Sequence, residues 1–313
     1  MTVSTSNDFT QTRNDIINRA LSILGIKNRG RALTAEEVTD ASTALNLFVK
    51  GLKASGTYLW KYAEGTLFLV YGQAQYVLDG STANATESFT QTTTTADAVL
   101  GATTIAVTST SGFVVGYNIG VIQDDNTILW TTITNIASLT ITLNTALTAA
   151  ATSGNTVFVY QTKISRPESI TSCRRRDSSN YDTAMSDLAR SDYFNLSQKD
   201  TAGKSTQFYY DKQLASGSLY LYSTPDIVTD TIKFTFQKMF FDFDDSTNNP
   251  DFPVEWMETL AFGLASRLCY DYGIDPTKSE MIKRTADEMI LNLQGYDRED
   301  SVYFAPQINL YSR

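Results

Sequence analysis

The chain contains no histidine and only two cysteines among its 313 residues. Without imidazole, the commonest zinc ligand and the commonest general base are both missing. Cys173 and Cys269 stand far apart in sequence and match no metal-ligand spacing, so both are expected to be buried free thiols. Positive charge is missing over a long interval. No Lys or Arg occurs between Lys61 and Lys163, whereas Glu64, Asp79, Glu87, Asp97, Asp124 and Asp125 all fall inside it. No apolar run reaches the roughly 20 residues that a membrane span needs. The opening MTVSTSNDFTQTRND has polar residues where the apolar part of a signal peptide would stand. The reading is a protein made and kept in a cytosol, with no membrane partner.

What is present is a globular composition, 42 % hydrophobic and 19 % charged, with a net charge of −9. A protein that neutralises phosphates should be basic at least locally, so sequence-specific nucleic-acid binding is not expected. The length suffices for two domains, each with its own core. Seventeen tyrosines and sixteen phenylalanines suit large cores or extensive contact surfaces.

Helical periodicity opens the chain. In TQTRNDIINRALSILG, Ile16, Ile17, Ala20, Leu21 and Leu24 recur at three- and four-residue spacing, and Gly25 stands where a C-terminal cap belongs. After a short basic loop, Thr34 and Glu37 have capping-box spacing, and Val38, Ala41, Leu45, Phe48 and Leu52 form one stripe. Near the other end, Pro253 precedes Trp256, Leu260, Leu264 and Leu268, spaced four apart, and Gly273 ends the run. Asp275 and Pro276 then open a helix whose stripe is Ile282, Ala286, Met289, Ile290 and Leu293.

Between these helices the pattern is β. TTIAVT, YNIGVI, ILWTTIT, LTITL and TVFVY are short strand candidates separated by turn residues, in a Thr- and Ser-rich stretch. They suggest a small barrel or sandwich. Later, TQFYYDKQL, SLYLYS and TIKFTF read as strands, the last with Ile232, Phe234 and Phe236 on one face and Thr231, Lys233 and Thr235 on the other. The resulting expectation is a mainly α fold: a four-helix bundle with β-hairpins from residues 1–81 and 163–299, a small all-β domain inserted at 82–162, and an arm at 300–313. That arm has no helical period and holds Tyr303, Phe304, Ile308, Leu310 and Tyr311. A solvated tail would be polar, so this one reads as a segment to be buried on a partner.

Reactive constellations are sparse, and no catalytic residue, metal site or cofactor is expected. Asp242, Asp244 and Asp245 cluster in an acidic loop without the mid-loop Gly and terminal Glu of a calcium site. A carboxylate pair such as Asp244 with Asp271 or Glu255 leaves a peptidoglycan hydrolase open as an alternative. Arg174, Arg175 and Arg176 are adjacent, and Lys27, Arg29 and Arg31 crowd one loop. In an acidic chain, both groups are candidate subunit or partner interfaces. Trp130, in the inserted region, leaves open a glycan- or fibre-binding module.

The order of these segments resembles the head-to-tail adaptor (head-completion) proteins of short-tailed phages, the podoviruses. The likeness covers about residues 9–79 and 163–300 and is carried by SDYFNLSQKDTAGKSTQFYYD, LYLYSTPD and PDFPVEWMETLAFGLASRLCYDYG. It implies a virion protein assembled in the host cytoplasm and placed at the head–tail interface. There it would form a homo-oligomeric ring, usually of twelve copies, beneath the portal protein and above the tail nozzle. The ring would extend the channel through which DNA passes, retain the packaged genome, and grip the portal with the C-terminal arm. The insertion, which smaller members lack, would face outward toward tail fibres or neighbouring subunits.

Overall fold

A computed structural model describes residues 9–27, 31–52, 58–247 and 249–296. The chain divides into two compact units, one formed by Met1–Trp60 with Phe240–Arg313 and the other by Lys61–Met239. Its helices are α1 (Arg13–Leu24), α2 (Ala35–Leu52), the single-turn α3 (Arg190–Phe194), α4 (Met257–Leu268) and α5 (Pro276–Tyr296).

The first unit holds α1, α2, α4 and α5 around one core. Each helix starts or stops on a local signal. The Thr12 hydroxyl accepts from the Asp15 amide and Asp15 answers with its carboxylate, closing a capping box on α1. Gly25 ends α1 in the left-handed region at φ 83°, where a side chain would be strained. Glu37 N donates to Thr34 Oγ1 at 3.2 Å and Thr34 N to Glu37 Oε2 at 2.9 Å, the reciprocal pair ahead of α2. Asp275 Oδ1 accepts from Thr277 N at 3.0 Å, relieving an orphan donor of α5. The stripes then meet: Ile16, Ile17, Ala20 and Leu21 of α1, Ala41, Leu45 and Phe48 of α2, and Leu260, Leu264 and Leu268 of α4 share one buried cluster, with Ile282 of α5. An aromatic group closes one side of it. The Tyr58 ring lies 5.0 Å from Trp60 and 5.5 Å from Trp256, the latter edge-on, the geometry that ring quadrupoles favour.

The second unit is built from sheets. A five-stranded sheet runs in the order Asp182–Ala184, Ser169–Arg176, Thr231–Gln237, Tyr62–Phe68, Ala85–Thr86, and a four-stranded sheet in the order Ser186–Asp187, Gln207–Lys212, Gly217–Tyr222, Gln75–Leu78. Leu67, Ile232, Phe234 and Phe236 from the first meet Tyr76, Leu78, Phe208, Leu219 and Leu221 from the second in a common core. Ile232, Phe234 and Phe236 are buried here because successive strand residues alternate faces.

Six further strands form the third main sheet, in the order Thr90–Thr93, Thr156–Tyr160, Asn118–Ile122, Ile128–Ala137, Thr140–Leu143, Thr104–Ala106. Its first and last strands are joined by Thr95 N to Ala106 O and Thr108 N to Thr93 O, both 2.9 Å, and by the Thr94–Val107 bridge. The sheet therefore closes on itself, which removes its free edges. Ile105, Val107, Ile119, Val121, Ile133, Ile141, Val157 and Val159 fill the interior. A separate cluster, Phe68 and Val228 with Ile122, Phe158 and Tyr160, packs against the outside of the barrel.

The mainly α expectation, a four-helix bundle with β-hairpins, is corrected. Among the described residues, helix accounts for 26 % and strand for 30 %, and the chain is mostly β. The physical reason is pairing. Strands such as Gln207–Lys212, Gly217–Tyr222 and Thr231–Gln237 look like accessory hairpins one at a time. Paired across long sequence separations, they make two sheets that bury their own apolar faces against each other and need no helix to cover them.

Candidate functional site

The adjacent arginines lie at the end of strand Ser169–Arg176, and strand geometry separates them. Arg175 shares the core-facing side with Cys173, whereas Arg174 and Arg176 point to the opposite face. Arg175 Nε is 3.4 Å from Asp230 Oδ2, and both side chains are largely buried. Burial is the main reason that the Asp230 carboxyl is raised above its ordinary range, with the Arg175 charge opposing it.

On the other face, Arg174 Nε meets Asp182 Oδ2 at 2.9 Å, and Arg176 contacts both Asp182 oxygens at 2.7 Å through Nε and Nη2. Arg174 Nη2 also pairs with Glu64. The Arg176 fork is the main cause that holds Asp182 down at about 2. Register places Arg174 opposite Lys233, and Lys233 opposite Thr66. Lys233 is only 8 % exposed. Its Nζ donates to Thr66 Oγ1 at 2.6 Å, stands 5.0 Å from the Phe89 ring centre, and lies 3.9 Å from Glu64 Oε1. Burial lowers its pKa, and Glu64 partly restores it. The alternation in TIKFTF puts Lys233 opposite the phenylalanines, yet nothing local in the sequence marks that second face as covered. Glu64 and Asp182 carry no sequence signal for joining it.

The remaining sequence candidates do not converge. Lys27 Nζ donates to Asn18 Oδ1 at 2.7 Å and Arg31 Nη2 to Glu37 Oε1 at 2.7 Å, each within its own helical neighbourhood. Arg29 and the arm residues Tyr303, Phe304, Ile308, Leu310 and Tyr311 lie outside the described residues. Asp244, Glu255 and Asp271 are exposed in three separate segments: the loop before α4, the turn entering it, and the turn after it. No group of three or more His, Cys, Asp or Glu residues that could hold a metal occurs among the described residues. Trp130 lies across Gly120, 5.0 Å from Phe68 and 5.5 Å from Tyr160, so its indole is engaged in packing. Cys173 and Cys269 are buried free thiols, and burial pushes the Cys173 thiol up. No described helix is long and apolar enough to cross a membrane.

The helical unit carries a different kind of surface. Tyr270 is 85 %, Met281 66 % and Leu291 67 % exposed. Tyr270 and Leu291 flank an open groove of about 670 Å³ along α5, which also takes in Ile274, Lys283 and Arg284. On α2, Leu47 is 62 % exposed beside Glu36 and Asp40.

No protein-family model matches the chain, and no curated protein matches it. Among solved structures it is similar to VP17, a capsid protein of bacteriophage P23-77, at 12 % identity. That alignment covers 61 % of this chain and 73 % of the other with a TM-score of 0.12, a superposition that carries no argument about fold or function.

Proposed function

We propose that the chain is a non-enzymatic structural protein of a phage particle, one that works by binding neighbours. The observation that supports this reading is the set of large apolar side chains that the helical unit leaves in water: Tyr270 and Leu291, which flank the α5 groove, and Met281 elsewhere on α5. Exposed apolar surface beside a groove is what protein–protein contacts bury. Together with the segment order read from the sequence, it favours a homo-oligomeric ring between portal protein and tail nozzle in the virion. In that setting the arm residues 300–313 grip the portal, and the barrel is carried toward tail fibres. Twelve copies, each at −9, surround a channel whose negative wall lets DNA slide.

The test is the mass of the purified protein alone and after mixing with portal rings. Full-length protein joins the portal in a stoichiometric ring, and a variant lacking residues 300–313 does not. A monomer that ignores portal rings refutes the proposal. Turnover of purified cell-wall sacculi that is lost in Asp244→Asn or Glu255→Gln would replace it with the hydrolase.

A further inference from the structure

The polar face of the five-stranded sheet gathers three cations. Arg174, Arg176 and Lys233 share two carboxylates, Asp182 and Glu64. Beside them is a cavity of about 140 Å³ within the Lys61–Met239 unit, lined by both Arg176 and Lys233. At roughly 30 Å³ per water, that is room for several waters or one small solute group. Phe89 and Phe158 wall one side, edge to face with ring centres 5.8 Å apart.

The rest of the lining is polar and uncommitted. Gln91, Thr156, Ser178, Asn180, Thr229 and Thr231 all border the cavity, and none of these side chains makes a hydrogen bond to another described residue. Elsewhere in the same unit, side chains of this kind are used: Thr94, Thr108, Thr127 and Thr148 all bond within the barrel. Thr231 is only 7 % exposed and borders the cavity. Asp177 also borders the cavity and adds a third carboxylate, with its Oδ1 held by Ser179 N and Tyr181 N, both at 2.9 Å. Arg176 uses Nε and Nη2 on Asp182 and keeps Nη1 available. Lys233 spends one proton on Thr66 and keeps others.

We propose that this cavity is a binding site for a small oxyanion, the phosphate or carboxylate group of a ligand, held between Lys233 and Arg176 with Asn180 and Thr231 completing its hydrogen bonds. An anion there would meet two cations with donors to spare in a partly dehydrated place, where charge-assisted hydrogen bonds are strongest. The inference stands apart from any role in particle assembly.

The test titrates full-length protein with inorganic phosphate and, separately, with glucuronate, against chloride at matched ionic strength, reading heat and the thermal midpoint. Either anion should raise the midpoint above the chloride control, because a ligand that binds only the folded state stabilises it. Tighter binding of phosphate points to a phosphoryl ligand, and tighter binding of glucuronate to an acidic sugar. Lys233→Met should weaken binding by about tenfold or more, the scale of losing a hydrogen bond to a charged group, and Thr231→Val by about threefold to tenfold. Asn180→Gly should act like Thr231→Val while preserving the backbone, since residue 180 sits at φ 64°. If Lys233→Met fails to fold, the other two variants decide. A midpoint that neither anion moves, or folded variants that bind as tightly as the parent, would overturn the proposal.

Discussion

Gly263 sits in the middle of α4 and allows α2 to approach it. A Cβ at this position would come 2.1 Å from Cζ and 2.4 Å from Cε1 of Phe48. Carbon atoms in contact normally stand about 3.5–4.0 Å apart, so Gly263→Ala demands a ring displacement of roughly 1.5 Å. Intrinsic helix propensity works the other way, favouring Ala over Gly by about 1 kcal/mol in a helix interior. Overpacking of a tight contact costs about 1–3 kcal/mol. Moving the ring also disturbs the Arg267 guanidinium, which lies 5.6 Å from its centre. That contact is worth about 0.5–1 kcal/mol at an exposed site. The sum predicts a net loss of about 1–2 kcal/mol for Gly263→Ala, against the direction of propensity. Urea unfolding followed by the helical circular-dichroism signal measures it. Phe48→Leu in the Gly263→Ala background should recover part of the loss, with a coupling of about 1 kcal/mol, because the two residues touch. A Gly263→Ala protein that is more stable than the parent, or a strictly additive double variant, would refute the close-packing account.

Gly120 has the same role in the barrel, where a Cβ would meet Trp130 Cζ3 at 2.5 Å. Gly120→Ala should therefore cost about 1–3 kcal/mol and shift the tryptophan fluorescence as the indole is displaced. Arg175→Met leaves Asp230 buried without its cation and should cost about 3–5 kcal/mol by equilibrium unfolding, whereas the double variant Arg175→Met/Asp230→Leu should regain most of that. Asp182 titrates lower folded than unfolded, so its stabilisation is complete above its ordinary value of 3.8 and is lost as pH falls toward about 2. The group is well exposed, so screening limits the contribution to about 1 kcal/mol. Asp182→Asn should remove that part of the acid slope from a pH series of urea midpoints, and an unchanged slope would count against the Arg176 pairing.

Local grammar was readable from the residues. Thr34 with Glu37, Asp275 with Pro276, and Gly25 after Leu24 each act over one helical turn, and the structure uses all three. The apolar stripes of α1, α2 and α4 likewise named the side chains that share a core. The Ile232, Phe234 and Phe236 alternation identified the buried face of a strand. The arginine triplet was visible as a group but not as two opposed faces, one in an ion pair with Asp230 and the other among Asp182, Glu64 and Lys233.

What the chain order alone determined is whatever depends on neighbours a few residues away: caps, periodicity, the absence of imidazole chemistry, the long stretch without positive charge. Tertiary structure alone decided which strands pair, that the six-stranded sheet closes, that α4 needs a glycine facing Phe48, and that a lysine is buried beside a polar cavity. The hydrogen bond from Lys233 to Thr66 spans 167 positions of sequence. Contacts at that range come from mutual burial of whole faces, a free energy that no short window of residues contains.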